Sequence, residues 1–219
     1  MVKIKEIFTS IQGEGPLVGY KQLFIRFCGC NLACKYCDTD FSLLQANEYN
    51  VSELAKICSE STDCHSVSLT GGEPLLNIEF LKEFLPKCPL PVYLETNATL
   101  YNNLNEVIEY IDYISADIKL PSTTGMKPMW QEHDKFFNAA KNKTLFAKVV
   151  FDKNLAQDEI KMSSELAKKY DIELILQPKM DGNKLCVDSK FIQETLDKYL
   201  KYYNKVRLIP QTHKFLDIE

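Results

Sequence analysis

The chain has 219 residues, 45% of them hydrophobic and 26% charged, with only 8 Gly and 9 Pro. That length and balance suit one globular domain around a single core, and they exclude disordered, collagenous and low-complexity classes. With 26 basic residues against 30 acidic, the net charge is −4, so no global basic field gathers a polyanion such as DNA or RNA, and direct nucleic-acid binding is not expected.

No membrane segment is expected either. The longest uncharged run, Thr96 to Asn105, has ten residues, whereas a spanning helix needs about twenty mostly apolar ones. The opening Met1-Val2-Lys3-Ile4-Lys5-Glu6 alternates charged and apolar residues and has no secretory h-region, which reads as a cytoplasmic protein.

In chain order, apolar β-prone runs predict strands at 3–8, 22–27, 66–69, 92–94, 113–116, 145–151, 173–176 and 206–209. Helices are predicted over 51–59, 78–85, 104–110, 157–170 and 191–202. This alternation specifies an α/β fold on a parallel sheet with right-handed crossovers, either doubly wound or closed, fully or partly, into a barrel. No linker or repeat divides the chain, so residues 1–219 are expected to form one domain.

In such sheets chemistry gathers at the carboxyl ends of the strands. The unusual residues fall there. A Cys-rich loop follows Phe27, Thr70-Gly71-Gly72-Glu73-Pro74 follows Leu69, and Glu95-Thr96-Asn97 follows Leu94; Asp117-Ile118-Lys119 follows Ala116, and Gln177-Pro178-Lys179 follows Leu176. That face is the expected active site.

Eight cysteines in a chain without an export signal favour metal binding over disulfides. Cys30, Cys34 and Cys37 form C-x3-C-x2-C, which cannot close a tetrahedral zinc site alone. Three thiolates on a 4Fe-4S cluster would leave one iron open to a small molecule. A zinc site completed by Cys28 or His65 stays open as the alternative.

The stretch Cys30-Asn31-Leu32-Ala33-Cys34-Lys35-Tyr36-Cys37, with its aromatic before the last Cys, resembles the cluster loop of the radical S-adenosylmethionine superfamily. Thr70-Gly71-Gly72-Glu73-Pro74 resembles that superfamily's second-strand motif. Within it, Phe8-Thr9-Ser10-Ile11-Gln12-Gly13-Glu14-Gly15, Phe24-Ile25-Arg26, Cys37-Asp38-Thr39, Glu95-Thr96-Asn97 and Ile209-Pro210-Gln211-Thr212-His213 are similar to the 7-carboxy-7-deazaguanine synthase family.

The resemblance implies a single-domain, modified partial (β/α) barrel with an N-terminal strand extension over 1–20 and a cluster loop over 28–40. It implies conversion of 6-carboxy-5,6,7,8-tetrahydropterin to 7-carboxy-7-deazaguanine with loss of ammonia, toward queuosine and related 7-deazapurines. The cofactors implied are a 4Fe-4S cluster on Cys30, Cys34 and Cys37, S-adenosylmethionine, and Mg2+ at Thr39. The radical comes from the cofactor, so no side chain is expected to act as catalyst. A homodimer served by reduced flavodoxin or ferredoxin is also implied.

Substrate contacts are expected from Ile11, Gln12, Gly13, Glu14, Arg26 and Thr70. Cofactor contacts are expected from Tyr36, Cys37, Asp38, Gly72, Glu73, Asp117, Ile118, Lys119, Gln177 and Pro178. The chemistry agrees: a carboxylate accepts from pterin ring N–H groups, and an Arg fork suits a substrate carboxylate as Lys does not. Plain readings remain beside these, with Gln12 to Gly15 as a surface turn, Arg26 as a strand-end charge, Thr39 as a loop cap and Glu73 as a solvated acid. A glycyl-radical-activating enzyme is the enzymatic rival, and a zinc-binding module the non-catalytic one.

Three departures carry expectations. Ala98 stands where relatives usually have Gly, implying a backbone with φ below zero. Cys28, Cys58, Cys64, Cys88 and Cys186 are expected to be buried and inert. His133 is expected on the surface or in the core, while His213 lies in a tail that folds over the substrate.

Overall fold

Strand β1 (Val2–Ile11) pairs antiparallel with β2 (Lys21–Phe27), and short β3 (Asn47–Tyr49) pairs with the other edge of β1. These belong to a computed structural model that describes residues 1–218. From β2 onward the chain alternates: α1 (Val51–Glu60), β4 (Ser66–Gly71), α2 (Ile78–Phe84), β5 (Val92–Thr96), α3 (Tyr101–Val107), β6 (Tyr113–Asp117). There follow α4 (Pro121–Thr124), α5 (Trp130–Ala140), β7 (Thr144–Phe151), α6 (Gln157–Lys169) and β8 (Glu173–Pro178). A small hairpin of β9 (Met180–Asp181) and β10 (Lys184–Leu185) precedes α7 (Ser189–Leu200), β11 (Val206–Leu208) and α8 (Thr212–Leu216).

The nine-stranded sheet has the order β11-β8-β7-β6-β5-β4-β2-β1-β3. From β2 to β11 every pairing is parallel. β3 and β11 are its two edges, so the barrel is left incomplete, as the fold expectation has it.

Alternation along each strand divides the two faces. Val67, Leu69, Val92, Leu94, Ile114, Ala116, Ala147, Val149, Leu174 and Leu176 join the main core with helix residues such as Leu54, Phe84, Phe136 and Tyr199. The alternate positions line the other face. There Tyr93, Phe146 and Ile175 form a small plug with Leu17, Tyr113 and Ile209, and above it the strands carry Thr70, Glu95, Asp117, Lys148 and Gln177.

The helix ends follow local chemistry. Asn50 caps α1 by accepting from Glu53 N at 3.0 Å while Glu53 reaches back to Asn50 N at 2.7 Å, a reciprocal capping box. α5 has no predicted counterpart, yet its buried His133, Phe136, Phe137 and Ala140 are spaced i, i+3, i+4, i+7. The signal was present, but in an otherwise polar segment.

Candidate active site

The parallel register places the ends of the strands beside one another. Arg26 on β2 is level with Thr70 on β4, and Asp117 on β6 with Lys148 on β7. Around them open two cavities. They share Glu14, Asp38, Thr39, Thr70, Glu95 and Gln211 on their walls and so form two lobes of one site.

The first lobe carries Cys30, Cys34, Cys37, Tyr36, Asp38, Thr39, Gly72, Asp117, Lys119 and Gln177. The second carries Ile11, Gln12, Gly13, Arg26 and the shared Glu14 and Thr70. Three expected contacts fall outside both walls. Ile118 is 1% exposed and belongs to the main core, and Pro178 is buried at the end of β8. Glu73 is the third, and it corrects the expectation of a solvated or ligand-facing acid.

Glu73 is fully buried and its carboxylate is consumed by protein. It accepts from Leu75 N at 3.1 Å, Asn97 N at 2.8 Å and Thr96 Oγ1 at 3.0 Å. Burial pushes its carboxyl up to about 7, against these hydrogen bonds, which pull it down. What reaches the first lobe is the glycine backbone before it. Gly71 sits at φ +112°, and Gly72 N donates to Phe27 O at 3.0 Å while Glu73 N donates to Gly29 O at 2.9 Å. A Cβ on Gly72 would stand 1.8 Å from Gly29 O. The motif after β4 is thereby stitched to the start of the cysteine loop.

On that loop Cys30 Sγ accepts from Leu32 N at 3.4 Å and from Asn97 Nδ2 at 3.9 Å. Burial pushes the Cys30 and Cys34 thiols up, so binding iron there must release protons. Among the described residues no three His, Cys, Asp or Glu side chains gather about one point fit for a single metal ion. Cys28 instead donates to Ser42 O at 3.4 Å, and His65, just before β4, packs at a tilt between Tyr20 and Tyr113. The proposed completion of a zinc site by either residue is not what the fold provides.

A buried ion network joins the lobes. Lys148 contacts Glu14 and lies 3.2 Å from Asp117 Oδ1; Lys119 Nζ lies 2.7 Å from Asp117 Oδ2. Burial would raise the Glu14 and Asp117 carboxyls, but the lysines overbalance it and hold both below the usual range. Glu95 goes the other way, pushed up by burial despite Lys148. It accepts from Gln12 Nε2 at 2.9 Å and Thr70 Oγ1 at 2.9 Å. Gln12 also donates to Gln22 at 3.0 Å and accepts from Glu14 N at 2.9 Å, so its amide is fully used inside the protein.

Lys119 Nζ donates to Tyr36 Oη at 3.2 Å. Behind it, His133 is buried with its Nε2 accepting from Lys119 N and its Nδ1 meeting Ala98 O, each at 3.2 Å. Since the backbone N–H must donate, the imidazole is the Nδ1–H tautomer, and burial lowers it to about 4. Ala98 itself has φ +55°, in the left-handed region. This corrects the expectation of a negative φ: the turn keeps the geometry a Gly would favour, tied by Ala98 N to Thr96 Oγ1 at 3.2 Å.

The far C-terminus closes one side. Gln211 Nε2 donates to Glu14 Oε1 at 2.7 Å, Thr212 N donates to Gly13 O at 2.8 Å, and Lys214 pairs with Asp38 at 2.5 Å. His213 lies against Gly13, where a Cβ would stand 2.1 Å from its Nδ1. The tail thus folds over the second lobe, with Gln211, His213 and Lys214 on its wall. Lys148 and Lys214 have no place in the sequence reading of the site, and Glu95 and Gln211 enter it only within segments that resemble the family, with no role of their own. A lone Lys inside the apolar run Leu145–Phe151 was the available signal, because a buried lysine needs a partner. Of the additional cysteines, Cys28, Cys58 and Cys64 are buried, whereas Cys88 is half-buried and Cys186 exposed, a partial correction. One further group is unpaired: Gln177 Oε1 is buried on the wall of the first lobe with no partner among the described residues.

Comparison with known proteins agrees with this geometry. The Radical SAM superfamily pattern matches residues 24–144. A 7-carboxy-7-deazaguanine synthase of Geobacter sulfurreducens is 37% identical, the match covering 98% of this chain and 96% of the relative. One from Archaeoglobus fulgidus is 35% identical, with 97% of each covered. The crystal structure of QueE from Escherichia coli superposes with a TM-score of 0.67 at 20% identity, covering 97% of this chain and 94% of that one, and shares its fold. With relatives this similar over nearly their whole length and a cysteine loop on the wall of its cavity, the chain belongs to the 7-carboxy-7-deazaguanine synthase family of radical S-adenosylmethionine enzymes.

Proposed function

We propose that this enzyme converts 6-carboxy-5,6,7,8-tetrahydropterin to 7-carboxy-7-deazaguanine and ammonia, a step in making 7-deazapurines such as queuosine. The observation that carries the reading is the continuity of a thiol-lined lobe with one that presents Glu14 and Arg26. The first supplies a place for radical generation; the second supplies the charges a carboxylated pterin needs.

The residues fit the implied group. Cys30, Cys34 and Cys37 all line one lobe, and three thiolates on a 4Fe-4S cluster leave one iron open to a small molecule. They would hold a 4Fe-4S cluster, which together with S-adenosylmethionine supplies, when bound, a carbon radical that takes a hydrogen atom from the substrate. The unpaired Gln177 Oε1 would accept an N–H from the nucleoside, Tyr36 would offer a ring face, and Gly72, on the same wall with no side chain, would leave room for the methionyl end. Asp117, Lys119 and Asp38 complete that wall, while Ile118 and Pro178, turned into protein, have only backbone atoms to give.

In the second lobe Glu14, kept ionised by Lys148 despite its burial, accepts from pterin ring N–H groups. Arg26 takes the substrate carboxylate. Ile11, Gly13 and Thr70 shape the cavity, and Gln12, its amide already committed, fixes Glu95 and Glu14. Thr39 stands on the walls of both lobes, where a hydroxyl oxygen plus substrate oxygens and water would hold Mg2+. The family resemblance extends the reading to a cytoplasmic homodimer fed by reduced flavodoxin or ferredoxin. The residue-level test is Glu14→Gln and Arg26→Met in the reconstituted enzyme. Both variants are expected to retain iron and sulfide and to lose deazaguanine formation; undiminished turnover in either would remove that residue from the substrate site.

A further inference from the structure

Arg26 does not stand free at the rim of the second lobe. Its cross-strand neighbour on β1 is Glu6, and Glu6 Oε1 accepts from Arg26 Nε at 2.5 Å. The guanidinium carbon lies 5.5 Å from the centroid of the Phe8 ring, which itself stacks on Phe24 at 5.1 Å with planes 7° apart. All four residues line the same cavity. The two terminal nitrogens of Arg26 have no hydrogen-bond partner among the described residues, so one edge of the fork is gripped and the other is left for a ligand.

We propose that Glu6 is a positioning residue for specificity: with Phe8 it fixes the Arg26 guanidinium so that its terminal N–H pair meets the substrate carboxylate end-on. An arginine side chain loses much rotamer freedom when it binds. Here that loss is borne by the hairpin before the ligand arrives, and a bidentate carboxylate contact then forms in one orientation. Glu6 uses Nε and leaves both terminal nitrogens, so it is a support and not an occupant of the carboxylate subsite. The inference rests on the assignment of a carboxylated pterin to this lobe.

The test compares wild type, Glu6→Ala and Glu6→Gln as reconstituted holoenzymes. Steady-state kinetics are read with 6-carboxytetrahydropterin, and binding by titration with the inert probes 6-carboxypterin and unsubstituted pterin. Loss of the charge-assisted bond in Glu6→Ala is expected to raise KM about tenfold with kcat kept, and to erode the preference for the carboxylated probe by a similar factor. Glu6→Gln, which keeps an acceptor oxygen, is expected to recover most of both. An unchanged or lower KM in Glu6→Ala, as a competing carboxylate would give, overturns the positioning role. Equal binding of the two probes by the wild type overturns the substrate assignment beneath it.

Discussion

Lys148 Nζ lies 3.2 Å from Asp117 Oδ1, and the contact follows directly from strand register, because Asp117 and Lys148 are opposite one another in the parallel pair β6 and β7. The same ammonium contacts Glu14, brought in by the loop after β1. One buried cation thus joins an acid on the walls of both lobes to an acid of the first. Truncating it as Lys148→Met leaves Glu14 without a cation and Asp117 with Lys119 alone, and is expected to cost about 3 kcal/mol of stability. Adding Asp117→Asn is expected to cost less than the sum of the single changes, since the partners are coupled. Denaturant titration of the four proteins checks this; additive effects would dissolve the network.

The seam between Gly72 and Gly29 makes a second prediction. A Cβ at Gly72 would stand 1.8 Å from Gly29 O, and the obstacle is backbone, so it cannot swing aside. Gly72→Ala is therefore expected to push the cysteine loop away from the motif after β4 and to lower the iron and sulfide bound per chain after reconstitution. Full iron content in this variant would contradict the stitching of the two segments.

How much of this was legible beforehand depends on the range of the interaction. The eight main strands are apolar runs of local origin, and the cysteine loop and Gly-Gly-Glu-Pro declare themselves by spacing. Strand β3 and the β9–β10 hairpin, at two or three residues each, are too short to show a period. The site's inner charges were hidden for another reason. Gln211 reaches Glu14 across 197 positions, and Lys148 finds Asp117 only once the register is set. Glu73 illustrates the reverse error, a motif acid whose type suggests a ligand contact but whose partners are Thr96 and backbone amides.

Glu73 also gives a pH dependence. Its carboxyl is raised by burial from 4.5 to about 7, so the stability it contributes is present in full below pH 4.5 and is lost as pH rises through about 7. Glu73→Gln removes that titration. The stability of wild type relative to this variant is expected to fall by about 3 kcal/mol over that window, as read by denaturation at several pH values. A constant difference would contradict the raised value.

Ala98, at φ +55°, carries a left-handed strain that Gly would not. Ala98→Gly keeps the carbonyl that meets His133. It is expected to stabilise the protein by about 0.5–1 kcal/mol, the relief of strain exceeding the entropy Gly adds to the unfolded chain. Thermal unfolding of the two proteins decides the sign; a loss of stability would place the strain elsewhere.

The proposed reaction needs one site that joins radical generation to a carboxylated pterin. Its most direct test is anaerobic: the reconstituted enzyme is given dithionite, S-adenosylmethionine, Mg2+ and 6-carboxytetrahydropterin, and both products are followed by mass spectrometry. 5′-Deoxyadenosine and 7-carboxy-7-deazaguanine are expected together, the second dependent on Glu14 and Arg26. Deoxyadenosine without the deazaguanine would contradict the substrate assignment, and neither product from a cluster-loaded enzyme would contradict the radical chemistry itself.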